Sequence, residues 1–83
     1  MSILLYPIAT EKAINMVERN NVITYVVDTR SSKSDIKKEF EDVFKVKVDK
    51  VNTEMEPRNR KRAFIKINSQ FKASDIALKL KLV

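Results

Sequence analysis

The chain has 83 residues, of which 43% are hydrophobic and 34% charged, and this predicts a single globular domain covering residues 1–83. Its net charge of +6 favours a polyanionic partner. Cysteine, histidine and glycine are absent, which removes disulfides, the commonest general base and metal ligand, and glycine-dependent phosphate loops. We therefore expect no enzyme, cofactor or metal site.

The sequence also bears on membranes and secretion. No apolar run approaches the roughly 20 residues that a membrane span needs. The N-terminal MSILLYP lacks the basic and long apolar regions of a secretory signal. We expect a soluble, intracellular protein that does not insert into a membrane.

The N-terminal region predicts a short strand followed by an amphipathic helix. The apolar run Ile3–Tyr6 is stopped by Pro7, which fits an edge strand because proline cannot donate to a strand ladder. Thr10 stands where a helix N-cap is expected, and Asn20-Asn21 can supply the left-handed residue that ends a helix. The first helix is therefore predicted at residues 10–20.

The run VITYVV at residues 22–27 predicts a second strand. It is β-branched and aromatic, with apolar residues on both parities, which indicates a central strand covered on both sides. Tyr25 has no second aromatic on its parity, so we interpret it as a core residue rather than a base-stacking platform.

A second helix is predicted at residues 32–45. Ser32 and Asp35 stand at capping-box spacing, with Ser34 as a competing cap. Apolar residues then recur at helical spacing and form a predicted core stripe of Ile36, Phe40, Val43 and Phe44.

The charges of this helix allow two interpretations. Lys33 and Lys37 lie near its start, ahead of the acidic residues Glu39, Glu41 and Asp42, an order that opposes the helix dipole. The lysines are positioned to reach phosphates, or the face is simply a mixed, solvated one.

The stretch from residue 51 to 67 predicts a β-hairpin. Two alternating runs, Val51–Met55 and Ala63–Ile67, flank a turn in which Asn59 is the best candidate for a positive φ. The third strand is expected to begin at Val46. A parity switch at Asp49-Lys50 predicts a bulge or bend within it.

The tip of this hairpin is strongly basic. Four basic residues lie within five positions, and no acid stands among them: Arg58, Arg60, Lys61 and Arg62. Such a cluster favours nucleic acid, because each neutralised phosphate releases condensed counterions. The alternative is a solvated tip that aids solubility.

The return strand separates two kinds of RNA recognition. The run Arg60–Ile67 partly matches the RRM signature, but it lacks that signature's glycine at Lys61 and its stacking aromatics at Arg62 and Ile67. The pattern therefore favours backbone and shape recognition of folded RNA over reading of single strands. Phe64 is expected to pack against a helix.

The segment from residue 69 to 83 is ambiguous. Ser74-Asp75 resembles a helix start, and Ile76 begins an apolar pattern at helical spacing. Leucines also alternate with lysines from Leu78 onward, which fits a strand. We favour a helix, so the predicted order is β-α-β-α-β-β with a terminal helix, an α+β fold.

Four motifs together resemble a known family. PIATEKA at residues 7–13 is similar to its P-x-x-[ST]-E-K-[AS] signature, and SKSDIK at 32–37 to its K-x-[ED]-I-K helix opening. FKVKV at 44–48 with VNT at 51–53, and KRAFIKI at 61–67, resemble its two hairpin strands. The family is large-subunit ribosomal protein L-twenty-three, in its compact archaeal-like form.

The resemblance implies a fold and a cellular role. It implies a four-stranded, antiparallel-dominated sheet of split β-α-β type, with helices packed on it and strand four between strands two and three. It implies binding to large-subunit ribosomal RNA at the exit of the nascent-peptide tunnel, in cytoplasmic ribosomes. Implied partners are ribosomal protein L-twenty-nine, signal recognition particle, a nascent-chain chaperone and the protein-conducting channel.

The resemblance also bears on single residues. Glu11 matches the acidic position that docks a chaperone in bacterial relatives, whereas the long hairpin extension of those relatives is reduced here to Glu56–Arg60. Thr10, Asn52 and Thr53 are implied donors to phosphate or sugar. The RNA contacts predicted from charge are Arg58, Arg60, Lys61 and Arg62 at the tip and Lys12, Lys33, Lys37 and Lys66 elsewhere. Asn59, in the turn between the arginines, is a further predicted contact.

Two other functions compete with the ribosomal one. The first is a free-standing RNA-binding module of the same split β-α-β type. The second is a protein-interaction adaptor that uses the acidic face formed by Glu39, Glu41 and Asp42.

Overall fold

A computed structural model describes residues 3–81 and contains four strands and three helices. In chain order these are β1 (Leu4–Pro7), α1 (Glu11–Asn20), β2 (Val22–Val27), α2 (Lys33–Phe44), β3 (Val48–Glu56), β4 (Arg60–Ile67) and α3 (Ala73–Lys79). The predicted β-α-β-α-β-β order with a terminal helix is confirmed. Within the described residues, no helix is long and apolar enough to cross a membrane.

The four strands form one antiparallel sheet in the order β1-β2-β4-β3. The last strand of the chain therefore lies between β2 and β3, as the family resemblance implies. Because β2 and β3 both run antiparallel to β4, they are parallel to each other, and α2 is the crossover that connects them. The split β-α-β prediction is confirmed.

Cross-strand pairing divides the sheet residues between two faces, because residues directly opposite on antiparallel strands point to the same side. On one face Val51 opposes Ile65 and Thr53 opposes Ala63, which confirms the predicted alternation. This face carries α2 and the core. The other side, here called the open face, is formed by the even-numbered residues of 22–26, 50–56 and 60–66.

The third strand departs from its predicted start. It begins at Val48 rather than Val46, because Lys45 ends α2 in a left-handed conformation with φ 56°. The Glu41 carboxylate then accepts a hydrogen bond from the Val48 N–H at 2.8 Å. The predicted irregularity at Asp49-Lys50 is confirmed, since the register shifts between Val48 and Lys50.

Local capping signals are confirmed at both long helices. The Thr10 hydroxyl accepts from the Ala13 N–H at 3.2 Å. Ser32, not Ser34, caps α2: its hydroxyl accepts from the Asp35 N–H at 3.1 Å, and the Asp35 carboxylate accepts from the Ser32 N–H at 3.2 Å. The hydrogen bonds from Ser32, its backbone N–H first, lower the pKa of the Asp35 carboxyl.

The core is centred on Phe40. Its ring is fully buried and meets Tyr25 edge-on, with centroids 6.3 Å apart, and Phe44 at 4.5 Å. Tyr25 is buried, as predicted, and burial followed by the nearby Glu39 charge raises the pKa of its phenol. The prediction for Val43 is wrong: its side chain is 57% exposed, and Phe44 takes the place beside Phe40.

The C-terminal segment, which the sequence left open between helix and strand, forms a helix that is capped by a residue distant in sequence. The helix begins at Ala73, one residue before the predicted Ser74-Asp75 start, and Lys72 supplies no side-chain cap. Instead, the Asn21 side-chain oxygen accepts from the Ala73 N–H at 2.6 Å. The predicted segment extends to Val83, and residues 82 and 83 lie outside the described part of the chain.

Candidate nucleic-acid interface

The hairpin tip is the turn Pro57–Asn59 between β3 and β4. Asn59 has φ 58°, which confirms the predicted positive φ, and Arg58 has φ 72°, which sequence reasoning did not anticipate. Both side chains are exposed. Within residues 3–81, Arg58 has no ion pair or side-chain hydrogen bond, so its charge is available to an outside anion.

An acid at the base of the tip orients two of the predicted arginines. The Arg60 Nε lies 2.5 Å from a Glu56 carboxylate oxygen, and the Arg62 guanidinium pairs with the other oxygen. Arg60 also donates to the Tyr6 hydroxyl at 3.2 Å. Such half-exposed pairs add little stability, but they hold the planar guanidinium groups in place while leaving further N–H donors free.

Lys61 lies on the opposite side of the sheet from Arg60 and Arg62, its neighbours in the sequence. It opposes Val27 and Met55 and so lies on the core side of the sheet. Its ammonium donates to the Ser31 backbone oxygen at 2.7 Å and its side chain is partly buried. Because successive strand residues alternate between faces, the basic cluster of the sequence is divided between both sides of the sheet. Lys61 therefore anchors the loop before α2.

A groove runs between α1 and the open face. It has a volume of about 560 Å³, and Phe64 of β4 and Met16 of α1 line it. The α1 helix is thus the expected helical neighbour of Phe64, but the ring is only half-buried and lies outside the core. Further lining residues are Lys12, Asn20, Val22, Lys50, Asn52 and Lys66.

This groove gathers three predicted contacts, Lys12, Asn52 and Lys66, from three different elements. It adds Lys50, which the sequence analysis missed; its position opposite Lys66 in the ladder depends on the bulge in β3. The Lys66 ammonium donates to the Asn20 backbone oxygen at 2.5 Å, so its charge is held at the end of α1.

The remaining predicted residues lie elsewhere. Thr10 is the cap of α1 and Glu11 is exposed in its first turn. Thr53 opposes Ala63 on the core face. Lys33 and Lys37 are exposed on α2, the helix packed on the face opposite the groove. The start of α2 lies at the tip end of the sheet, because Lys61 binds the Ser31 backbone oxygen just before this helix, so these two lysines are separated from the groove rather than from the tip.

The acidic face proposed for an adaptor is largely used inside the protein. Glu39 accepts from the backbone N–H groups of Ile3 at 2.9 Å and Leu4 at 2.8 Å, which ties the first strand to α2. Glu41 binds the Val48 N–H, as described above. These contacts disfavour the adaptor function. Among residues 3–81, no group of three or more acids, histidines or cysteines is placed to hold a metal ion.

Comparison with known proteins decides between the remaining interpretations. The model of the family described as Ribosomal protein L23 matches residues 2–81, nearly the whole chain. The chain belongs to the ribosomal protein L23 family. The L23 match covers every element of the fold, from β1 to α3.

Two curated relatives agree with this assignment, and both are named large ribosomal subunit protein uL23. The relative from Methanothermobacter thermautotrophicus is 42% identical over 79 residues, which cover 95% of this chain and 92% of that protein. The relative from Trypanosoma brucei brucei is 41% identical over 81 residues, covering 98% of this chain and 49% of that protein. The chain thus spans about half the length of the trypanosome protein.

Membership of the L23 family confirms the coarse functional predictions. The chain is a ribosomal protein, a structural constituent of the large subunit with a cytoplasmic, ribosomal location. The family is structural, so the expectation that the chain is not an enzyme is confirmed on that ground.

Proposed function

We propose that this L23-family chain binds large-subunit ribosomal RNA through its open face and hairpin tip, at the rim of the nascent-peptide exit tunnel. One observation carries the RNA-binding part: Arg60 and Arg62 lie along the open face, on the side away from α2, and Arg58 stands next to them in the turn. The proposed location at the rim of the exit tunnel rests on the family resemblance.

The tip arginines act on the phosphate backbone. Glu56 orients the guanidinium groups of Arg60 and Arg62 before RNA binds. A planar guanidinium group held in this way can donate two parallel hydrogen bonds to phosphate oxygens. Arg58 adds a charge at the turn itself. These contacts carry no base information, so they set the position of the protein on folded RNA.

The chain also has proposed protein partners, which rest on the family resemblance. Ribosomal protein L-twenty-nine is the proposed neighbour, and signal recognition particle, a nascent-chain chaperone and the protein-conducting channel are the proposed exit-site factors. Glu11 is the proposed docking residue, since it is exposed in the first turn of α1 and its side chain makes no hydrogen bond within residues 3–81. Crosslinking from this position on assembled large subunits tests it: failure to capture any exit-site factor contradicts the docking role.

Salt-dependent RNA binding tests the interface. The probe is a large-subunit ribosomal RNA fragment, titrated by filter binding between about 50 and 200 mM salt. Changing Arg58, Arg60 and Arg62 to alanine is expected to weaken binding and to flatten the log–log salt dependence, by up to about 0.9 for each phosphate that is no longer neutralised.

A matched control also removes three positive charges, but from α2, its C-cap and α3. The exposed residues Lys38, Lys45 and Lys79 are changed to alanine. This variant should keep the wild-type slope, and equal slopes for both variants contradict the proposed interface. The wild-type chain should also stay on large subunits through a moderate-salt wash, as expected of a ribosomal component and not of a free-standing RNA-binding module.

A further inference from the structure

The groove beside α1 combines an aromatic wall with a basic rim. Phe64 stands half-buried in the middle of the open face, opposite Thr24 on one side and Asn52 on the other. The amines of Lys12, Lys50 and Lys66 border it, and no acid is among the described residues that line it. Its volume of about 560 Å³ lies within the range of roughly 300–1,000 Å³ found for pockets that hold small organic groups.

A second, smaller cavity of about 110 Å³ adjoins this groove, and Phe64, Met16 and Lys12 line both. Thr24 lines the smaller cavity and is 3% exposed, yet its hydroxyl has no hydrogen-bond partner in residues 3–81. The Nε of Arg62, in the same cavity, is also buried without a partner among these residues, and Glu54, opposite Arg62 in the ladder, is the one acid among the described residues that line it. Buried polar atoms rarely stay unpaired, so this end of the groove is suited to a ligand with a polar edge.

The chemistry of the groove selects its occupant. A flat aromatic group would stack on the Phe64 ring, its polar edge would reach Thr24 and Arg62, and an attached phosphate would lie among the lysines. The exposed Asn52 amide offers both a donor and an acceptor to such a ring. A nucleotide has all three parts: a flat base, a polar edge and a phosphate.

Continuity with the basic tip favours RNA as the source of that nucleotide. Arg62 belongs to both surfaces, because it lines the smaller cavity and pairs with Glu56 beside Arg60. An RNA strand whose phosphates bind the tip would therefore pass along the open face towards Phe64.

We propose that one unpaired base of the bound RNA stacks on Phe64 in this groove. The inference rests on the proposed RNA-binding function and adds to it a base-contacting residue. The site holds a single base, because Arg62 and Ile67 stand where an RRM carries further stacking aromatics, and Ile67 is fully buried on the core face.

Fluorescence tests the stacking directly, because the chain contains no tryptophan. The full-length variant Phe64→Trp places its only indole in the groove, and Phe71→Trp places one on the helical side as a control. The probe is the same ribosomal RNA fragment. We expect quenching of Phe64→Trp, at a midpoint equal to the filter-binding Kd, and no quenching of Phe71→Trp.

Affinity measurements separate stacking from a merely structural role. Phe64→Leu removes the ring and is expected to weaken RNA binding roughly 5- to 150-fold with the salt slope unchanged. Phe64→Tyr keeps a ring and should bind like the wild type. Equal losses of affinity in both variants overturn the inference.

The other outcomes are equally decisive. If Phe64→Trp binds RNA with the affinity of the wild type but its fluorescence is not quenched, base stacking on residue 64 is ruled out and the proposed RNA-binding function stands. Quenching by an acidic peptide but not by RNA overturns it in favour of a peptide groove. Failure of the wild-type chain to bind the RNA overturns the proposed function and this inference together.

Discussion

Replacing Asn21 with glycine tests whether one side chain attaches the C-terminal helix to the sheet. The Asn21 amide nitrogen donates to the backbone oxygens of Ile67 and Phe71, each at 3.0 Å, and its oxygen accepts from the Ala73 N–H at 2.6 Å. The residue has φ 58°, a conformation that glycine adopts without steric cost. The substitution therefore removes three hydrogen bonds and leaves the backbone conformation allowed.

The expected loss of stability is large for a domain of this size. Three hydrogen bonds at about 0.5–1.5 kcal/mol each give about 1.5–4.5 kcal/mol. At about 0.05–0.15 kcal/mol per residue, 83 residues correspond to a total stability of about 4–12 kcal/mol. Since each kcal/mol shifts the Tm of a small domain by about 4–8 °C, we expect a decrease of at least about 6 °C.

A second asparagine offers a matched control. Asn59 also has φ 58°, but it is exposed in the hairpin turn and its side chain makes no hydrogen bond within residues 3–81. Asn59→Gly should change the free energy of unfolding by less than about 0.5 kcal/mol. Urea unfolding followed by circular dichroism compares the two variants. If their free energies of unfolding agree within about 0.5 kcal/mol, the reasoning about Asn21 is refuted.

Three further predictions concern stability. Phe40→Ala should lower the free energy of unfolding by about 3–5 kcal/mol and exposed Val43→Ala by far less; similar urea midpoints would contradict the assigned core. Because the folded pKa of Asp35 is lowered, its charge stabilises the protein above the unfolded pKa, and this contribution is lost as pH falls through the folded pKa. Asp35→Asn should therefore lower the Tm at pH 7 and converge with the wild type in acid, and parallel Tm curves would count against the capping box. Lys45→Gly should raise stability by up to about 1 kcal/mol, because the left-handed cost of about 1–2 kcal/mol exceeds the entropic cost of glycine; a lower urea midpoint would contradict this.

The features that depend on neighbouring residues are the ones that the sequence predicts well. The cap at Thr10, the capping box of Ser32 and Asp35, and the positive φ of Asn59 each depend on spacing within one turn. Strand alternation likewise placed Ala63 on the core face. Val43 is the exception, because helical spacing allows both Val43 and Phe44 in the core stripe and does not show that only Phe44 packs beside Phe40.

The sequence by itself determined the order of elements, the basic character of the hairpin tip and the family resemblance. Only the tertiary structure decided which cations share a surface. Lys61 is bound to Ser31, thirty positions away, and Glu56 holds Arg60 and Arg62. The placement of β4 between β2 and β3 brings Phe64 opposite both neighbouring strands and beside α1. The reason is physical: charge and turn propensity are local properties, whereas a surface depends on strand pairing between distant segments.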